Sequence, residues 1–224
     1  MPTLEDYVIE PFNHDAIIKS DYLLPERFKP QIAGGVCAAL VLEYFKCLEG
    51  GDVSDESIIA QLQHEFPRLN TRQEIFERAC AELKDFVGGF NAMSHQTGQQ
   101  FTNLSPDTTR GDNKQAIKSR LGSAAGGNYV LHFCGPRGSE FFCHVIALRL
   151  VAGPTHSVFD PNIGTMQVPR NEIEEFIERL CETYLLANIN IQEFYLLRGD
   201  RVETAREKFE RGIPVPQLQP TKKS

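Results

Sequence analysis

The chain has 224 residues, of which 41% are hydrophobic and 24% charged, which is enough apolar material for one hydrophobic core and hence one main domain. Its formal net charge of -7 argues against a nucleic-acid-binding protein, because neutralising phosphates requires a basic surface. The acidic start MPTLEDYVIEPF is unlike a signal peptide, and no apolar run approaches the roughly 20 residues of a membrane span, so we expect a soluble protein without an integral membrane segment.

The first half of the chain is predicted to be mainly helical. Apolar side chains cover nearly all faces of the segment 37–48, which predicts a central, buried helix. A second helix is expected to begin at Ser54 and to stop at Pro67. The capping box TRQE begins a third helix at Thr71, which the glycine pair at 88–89 is expected to end.

The second half changes to strand-like periodicity. Residues 90–111 are polar and predict a long loop or a lid, and a short helix is expected over 112–121. Apolar segments separated by turn-forming Gly, Pro and Asn residues then predict antiparallel strands. These elements are strands at 129–133, 141–150, 157–160, 165–168 and 193–197, and a helix at 171–185.

A helical half followed by an antiparallel sheet predicts an α+β fold. We place a single domain at residues 31–200. Residues 1–30 show no sustained hydrophobic period and are predicted to form an irregular N-terminal arm. Residues 201–224 are charged and then proline-rich, which predicts a frayed tail.

Cys37 is the first candidate for chemistry. It follows Gly34 and Gly35 in the stretch AGGVCAAL, and the two glycines suit a tight turn that delivers the sulfur to the first turn of the central helix. The nucleophile of a cysteine enzyme is the thiolate, which a helix N-terminus and a neighbouring imidazolium favour. Taken alone, Cys37 is more typical of a small buried residue at a helix start than of a nucleophile.

His144 and Asp160 are the candidates for a base and its orienting group. His144 lies in the apolar segment FFCHVIALRL, where an imidazole without a partner would be costly. A hairpin turn centred on Ala152 or Gly153 places position 144 opposite residues 160–162. The carboxylate of Asp160 is therefore expected beside the ring, where it would orient the imidazole and stabilise its cation.

Three blocks of the chain carry a resemblance to a known family. GGVCAAL, CHVIAL and FDPNIG, with a 16-residue step from His144 to Asp160, resemble the YopT/AvrPphB-type cysteine proteases, papain-like effectors of pathogenic and symbiotic bacteria. The resemblance spans about residues 31–200 and implies a papain-like fold with a catalytic triad of Cys37, His144 and Asp160. One feature departs from the family: its nucleophile helix usually carries a tryptophan, and this chain has none, so that Tyr44 is the nearest aromatic equivalent.

The resemblance also implies an oxyanion site and a biological role. Gln31, six residues before Cys37, matches the spacing of the oxyanion-binding amide in papain-like enzymes. The implied activity is that of a cysteine endopeptidase without metal or cofactor, secreted from a bacterium into the host cell cytoplasm. Its implied partners are protein substrates. Members of the family cleave host small GTPases or kinases, which are therefore the implied candidates. The arm before Gln31 is the expected place of any self-cleavage.

Two other functions fit the same residues. A papain-like transglutaminase or deamidase would use the same triad to form a crosslink or to hydrolyse a side-chain amide, and the triad alone does not separate these reactions from peptide cleavage. A catalytically degenerate binding module would engage a partner through its acidic surface or through the polar residues 90–111.

The remaining cysteines and one histidine cluster receive structural interpretations. Six scattered cysteines without a secretory signal favour reduced thiols, and those in apolar helical patterns are expected to be core residues: Cys47, Cys80 and Cys181. A metal site on two neighbouring strands would have His132, Cys134, Cys143 and His144 as ligands. Because positions 143 and 144 point to opposite faces of a sheet, four ligands cannot converge, and no metal site is predicted.

Overall fold

The computed structural model of the chain describes residues 3–13, 36–49, 54–83, 85–94, 98–104, 113–202 and 211. Within these residues the helices are α1 (Cys37–Glu49), α2 (Asp55–Leu83), α3 (Phe86–Ser94), α4 (Asn113–Gly122) and α5 (Ile173–Leu186). The strands are β1 (Val8–Pro11), β2 (Gln99–Asn103), β3 (Gly127–Arg137), β4 (Glu140–Leu150), β5 (Thr155–Asp160), β6 (Gly164–Pro169) and β7 (Glu193–Arg201). Short 3-10 helices precede β1 and α5, at Leu4–Tyr7 and Arg170–Glu172.

The strands of the described residues form one antiparallel sheet in the order β1-β6-β5-β4-β3-β7-β2. Consecutive hairpins connect β3, β4, β5 and β6, and β3 pairs with β4 along its whole length. Helices dominate the N-terminal half and strands the C-terminal half, which confirms the predicted α+β class. Among the described helices, none combines the length and the apolar composition that a bilayer crossing requires.

Helices cover both faces of the sheet and enclose two cores. Side chains alternate along β3, so that Val130 packs in the core formed with α1, α2 and α3. Its neighbours Leu131 and Phe133 pack in the core formed with α4 and α5. The same alternation along β4 places consecutive residues on opposite faces, which becomes important at positions 143 and 144.

Helix α1, whose first residue is Cys37, lies at the centre of the first core, as the sequence predicts. Every residue from Ala38 to Phe45 is buried, including the carboxylate of Glu43. Glu43 forms ion pairs with Arg72 of α2 and with Lys46, the latter at 2.8 Å. A buried carboxylate is costly unless it is paired, and the ion pair with Arg72 connects α2 to α1.

The predicted stop at Pro67 is wrong, since α2 continues through this residue to Leu83. A proline inside a helix removes one hydrogen-bond donor and costs several kcal/mol, about 3 in exposed helices. Phe66 and Leu69 are both almost fully buried in the core beside it. Burial on this helix face therefore overrides the local preference of the chain.

The glycine pair at 88–89 does not end a helix either, because both residues lie within α3. Gly89 is buried where α3 crosses α2, against Cys80 and Phe76. A Cβ atom at Gly89 would meet the Cys80 sulfur and would lie 3.0 Å from the Phe76 ring. The glycine serves close helix packing rather than chain reversal.

Two strands lie where the sequence predicts none. β1 falls within the predicted arm 1–30 and pairs with β6, and β2 falls within the predicted polar loop 90–111 and pairs with β7. Both are short edge strands, whose hydrophobic alternation is too brief to be read from the sequence. The domain boundaries at 30 and 200 stay predictions, because much of the flanking chain lies outside the described residues.

Candidate active site

Cys37 is the first residue of α1, and its side chain is partly buried against the first core. The helix begins here, with the N–H of Leu40 donating to the carbonyl oxygen of Val36 at 3.0 Å. The N–H of Ala39 donates to Oε1 of the buried Gln73, at 3.3 Å. Gln73 of α2 thereby satisfies one of the donors that a helix leaves unpaired at its N-terminus.

His144 and Asp160 are in direct contact. Nε2 of His144 lies 2.8 Å from Oδ1 of Asp160, and both side chains are almost completely buried. The β4–β5 pairing places Ala147 opposite Phe159, which puts Asp160 two residues from the position opposite His144. The backbone N–H of Asn162 donates to the same carboxylate oxygen at 2.8 Å, and the chain turns into β6 immediately after the carboxylate.

The surroundings of His144 favour its charged form and bring it to Cys37. Burial alone lowers the pKa of the imidazole, but the charge and the hydrogen bond of Asp160 raise it. A hydrogen bond with the Cys37 sulfur and the electrostatic effect of Cys37 add to this rise, and the resulting pKa of His144 is about 10. The sulfur of Cys37 is therefore within hydrogen-bonding reach of the ring.

Tyr184 of α5 is part of the site, and the sequence does not predict this role. Its hydroxyl donates to the Asp160 carboxylate, at 3.2 Å from Oδ1 and 2.9 Å from Oδ2, and accepts a hydrogen bond from Nδ2 of Asn162 at 3.1 Å. Burial, followed by the charge of Asp160, holds the pKa of Tyr184 well above its usual value, so the hydroxyl stays a donor. The available signal is a hydroxyl on the otherwise apolar face of the predicted helix 171–185.

Aromatic rings enclose the imidazole of His144. The ring of Phe133 meets it edge-on with centroids 5.5 Å apart, and the rings of Phe142 and Tyr184 lie 5.8 and 5.7 Å away. These rings exclude water from the His144–Asp160 contact, and a low local dielectric strengthens that contact.

Of the predicted site residues, the structure brings Cys37, His144 and Asp160 together. Gln31 lies outside the described residues, as do Gly34 and Gly35, so their predicted roles stay predictions. His132 lies on the other face of the sheet from His144, stacked on Phe86 with ring centroids 3.8 Å apart.

The expectation of six reduced thiols needs one correction. Cys134 and Cys143 stand directly opposite each other on β3 and β4, with Cα atoms 4.2 Å apart, and form a disulfide. Cys134 and Cys143 are nine residues apart in the sequence, and the β3–β4 register is what places them opposite each other. The other thiols pack as expected: Cys47 is buried, and Cys80 and Cys181 are partly buried against the cores.

Comparison with known proteins identifies the fold. Neither a protein-family model nor a curated protein sequence matches this chain. Among solved structures, the Pseudomonas avirulence protein AvrPphB matches with a TM-score of 0.63 at 18% identity, covering 88% of this chain and 100% of that one. The chain has the AvrPphB fold. PatoxP, a cysteine protease-like domain of the Photorhabdus asymbiotica toxin PaTox, matches with a TM-score of 0.42 at 10% identity, covering 87% of this chain and 55% of that one.

The similarity to AvrPphB confirms the fold that the three sequence blocks led us to expect. It extends over nearly all of this chain, including the helical N-terminal half and the C-terminal strands. In this chain, α1 packs against β4 and β5, the strands that carry His144 and Asp160. An AvrPphB-like fold thus holds a sulfur, an imidazole and a carboxylate in one site.

Proposed function

We propose that this chain is a cysteine endopeptidase that cleaves proteins through a Cys37–His144–Asp160 triad. One observation carries the proposal: a sulfur at a helix N-terminus lies within hydrogen-bonding reach of an imidazole that is itself 2.8 Å from a buried carboxylate. In acyl-transfer enzymes of this kind, the nucleophile contacts the base, and the base contacts the group that orients it. The AvrPphB-like fold and the resemblance to YopT/AvrPphB-type proteases support the same reaction class.

In the proposed reaction, His144 accepts the proton of Cys37 and the thiolate attacks the scissile peptide carbonyl. The tetrahedral intermediate collapses to a thioester when His144 donates that proton to the leaving amine. A water molecule, deprotonated by His144, then attacks the thioester and releases the acid product and the thiol. Asp160 holds the imidazole in the orientation that both steps need, and Tyr184 holds Asp160.

The oxyanion would be bound by two donors. The backbone N–H of Cys37 lies at the exposed end of the α1 dipole, and the side-chain amide of Gln31 is the second donor by its spacing from Cys37. Removing one oxyanion donor typically costs about 10² to 10³-fold in rate. Gln31→Ala is therefore expected to slow acylation without preventing the thiolate from forming.

The proposed setting is a host cell into which a bacterium secretes the protein. Its substrates would be host proteins, with small GTPases and kinases as the candidates that the family resemblance offers. Self-cleavage, if it accompanies this activity, would occur in the arm before Gln31. AvrPphB is an avirulence protein, and a shared fold fits a protein that acts on another organism.

A labelling experiment tests the triad without knowledge of the substrate. The protein is incubated at a pH of about 7.5 with a thiol-alkylating epoxide, and the adducts are located by peptide mass spectrometry. We expect one adduct, on Cys37. His144→Asn is expected to slow this labelling by at least about 100-fold, because the base that generates the thiolate is lost.

The other thiols provide an internal control for this experiment. Burial raises the pKa of Cys47, Cys80 and Cys181 to about 11 each. A thiol reacts as the thiolate, so a raised pKa keeps these three cysteines protonated and slow near neutral pH, and their labelling should rise only as the pH approaches about 11. Equal labelling of all thiols near neutral pH, or unchanged Cys37 labelling in His144→Asn, would contradict the proposal.

A further inference from the structure

A second group of chemically active side chains lies on the sheet face opposite His144. His132 and Cys134 are two residues apart on β3 and share this face, and Cys143 stands opposite Cys134 on β4. The imidazole nitrogen and the two sulfurs all lie within 4.8 Å of one another. Three ligand atoms therefore converge on this face, although His144, the fourth residue of the set considered in the sequence analysis, points to the other face.

The distances suit a tetrahedral metal ion. Nε2 of His132 lies 3.2 Å from the sulfur of Cys134. Around a tetrahedral zinc ion, with usual Zn–N and Zn–S bond lengths, these two atoms would be about 3.5 Å apart. Small side-chain movements would therefore admit an ion between the imidazole and the sulfurs.

The imidazole of His132 is buried and held between two aromatic rings. His132 is buried, with 8% of its surface exposed. Its ring is stacked between Phe86, at 3.8 Å between centroids, and Tyr195, at 5.5 Å.

We infer that the reduced protein binds a zinc-class divalent cation through Nε2 of His132 and the sulfurs of Cys134 and Cys143. Cys143 is exposed, so the fourth coordination position opens to solvent and would be filled by water. Two thiolates and a neutral imidazole balance the charge of a divalent ion, which suits a half-buried position.

The disulfide and the metal are alternative states of the same two sulfurs. A dithiol reductant transfers two electrons and two protons to the Cys134–Cys143 bond, which gives two thiols and the oxidised, disulfide form of the reductant. The divalent cation then displaces the two thiol protons and binds both thiolates. A disulfide oxidant that accepts two electrons from the two thiolates, and becomes a dithiol, re-forms the Cys134–Cys143 bond and releases the ion. The site is therefore a metal site only in a reducing compartment.

The experiment uses Co²⁺ as the probe and the Cys37→Ala chain, so that the catalytic thiol does not bind the ion. The chain is reduced with a dithiol, freed of reductant without air, and titrated with Co²⁺. We expect one ion per chain, with thiolate-to-cobalt charge-transfer absorption, and displacement by Zn²⁺. The oxidised chain, which retains the fold described above, is the matched control and is expected to bind no Co²⁺.

Two variants locate the ligands. Cys143→Ser removes an exposed ligand with little risk to folding and is expected to weaken Co²⁺ binding at least about 100-fold. Cys181→Ser, on α5 in the other core, is expected to leave binding unchanged. Absence of the charge-transfer band in the reduced chain, equal binding by the oxidised chain, or unchanged binding in Cys143→Ser would each overturn the inference. None of these readouts depends on peptidase activity.

Discussion

At the scale of single residues, the candidate site is a chain of hydrogen bonds that ends in a tyrosine. The sequence identifies Cys37, His144 and Asp160, because a glycine pair, an apolar strand and a hairpin turn each leave a local signal. Tyr184 leaves only a hydroxyl on an apolar helix face, which does not name its partner, since this hydroxyl meets Asp160 only after α5 packs on the sheet. The role of Gln73 at the start of α1 is hidden for the same reason, because its partner Ala39 is distant in the sequence.

Tyr184 is a positioning residue, which Tyr184→Phe tests. The change removes one hydrogen bond to a buried carboxylate, and we expect the free energy of unfolding to fall by about 1 to 3 kcal/mol. We also expect epoxide labelling of Cys37 to slow by about tenfold, because Asp160 then holds His144 less firmly.

Tyr7→Phe is the matched control for this variant. It removes a similar hydroxyl–carboxylate bond, from Tyr7 to Glu172 at 2.9 Å, away from the triad. Its labelling rate should equal that of the wild type even if its stability falls. Labelling of Tyr184→Phe at the wild-type rate would show that the tyrosine has a purely structural part.

At the scale of elements, the strands and the central helix are predictable and the helix boundaries are not. Strands β3 to β7 follow from alternating apolar residues between turn signals, and α1 follows from its apolar surface on all faces. Pro67 predicts a helix end, but burial of its neighbours on α2 overrides this local preference. The glycines at 88–89 also predict a helix end, but they lie within α3, where Gly89 permits close packing against α2. Edge strands β1 and β2 are too short for their period to be seen.

The two glycines of α3 give opposite predictions for the same substitution. Gly89→Ala places a Cβ against the Cys80 sulfur and Phe76 at the α2–α3 crossing, and we expect it to destabilise the protein by about 1 to 3 kcal/mol. Gly88→Ala meets only the end of the exposed Leu83 side chain and Asp85, which can move. We expect it to be neutral or to stabilise by up to about 1 kcal/mol, the usual gain of alanine over glycine in a helix.

Urea unfolding followed by circular dichroism measures both changes. The double variant Cys80→Ala/Gly89→Ala removes the sulfur that the new methyl group meets, so it should cost less than the sum of its two single changes. Equal stabilities of Gly88→Ala and Gly89→Ala would contradict the account of the helix crossing.

At the scale of the whole molecule, the sheet separates the His144–Asp160 pair from the group of His132, Cys134 and Cys143. Consecutive residues Cys143 and His144 of β4 point to opposite faces, one to the disulfide beside His132 and the other to Asp160. The α+β class is predictable from the order of elements along the chain, whereas the disulfide and the grouping around His132 depend on strand register. Sequence periodicity indicates the order of helices and strands, but it does not indicate which residues of neighbouring strands lie opposite each other.

The central claim is that the triad cuts peptide bonds, and N-terminal proteomics tests it most directly. Eukaryotic cell lysate is treated with the wild type or with Cys37→Ala, and newly formed protein N-termini are labelled and identified. Cys181→Ala, which removes a thiol remote from the triad, is the matched control and should behave as the wild type. We predict new N-termini with the wild type and none with Cys37→Ala. The same N-termini with Cys37→Ala, or glutamine conversion and crosslinks without any backbone cleavage, would contradict the account.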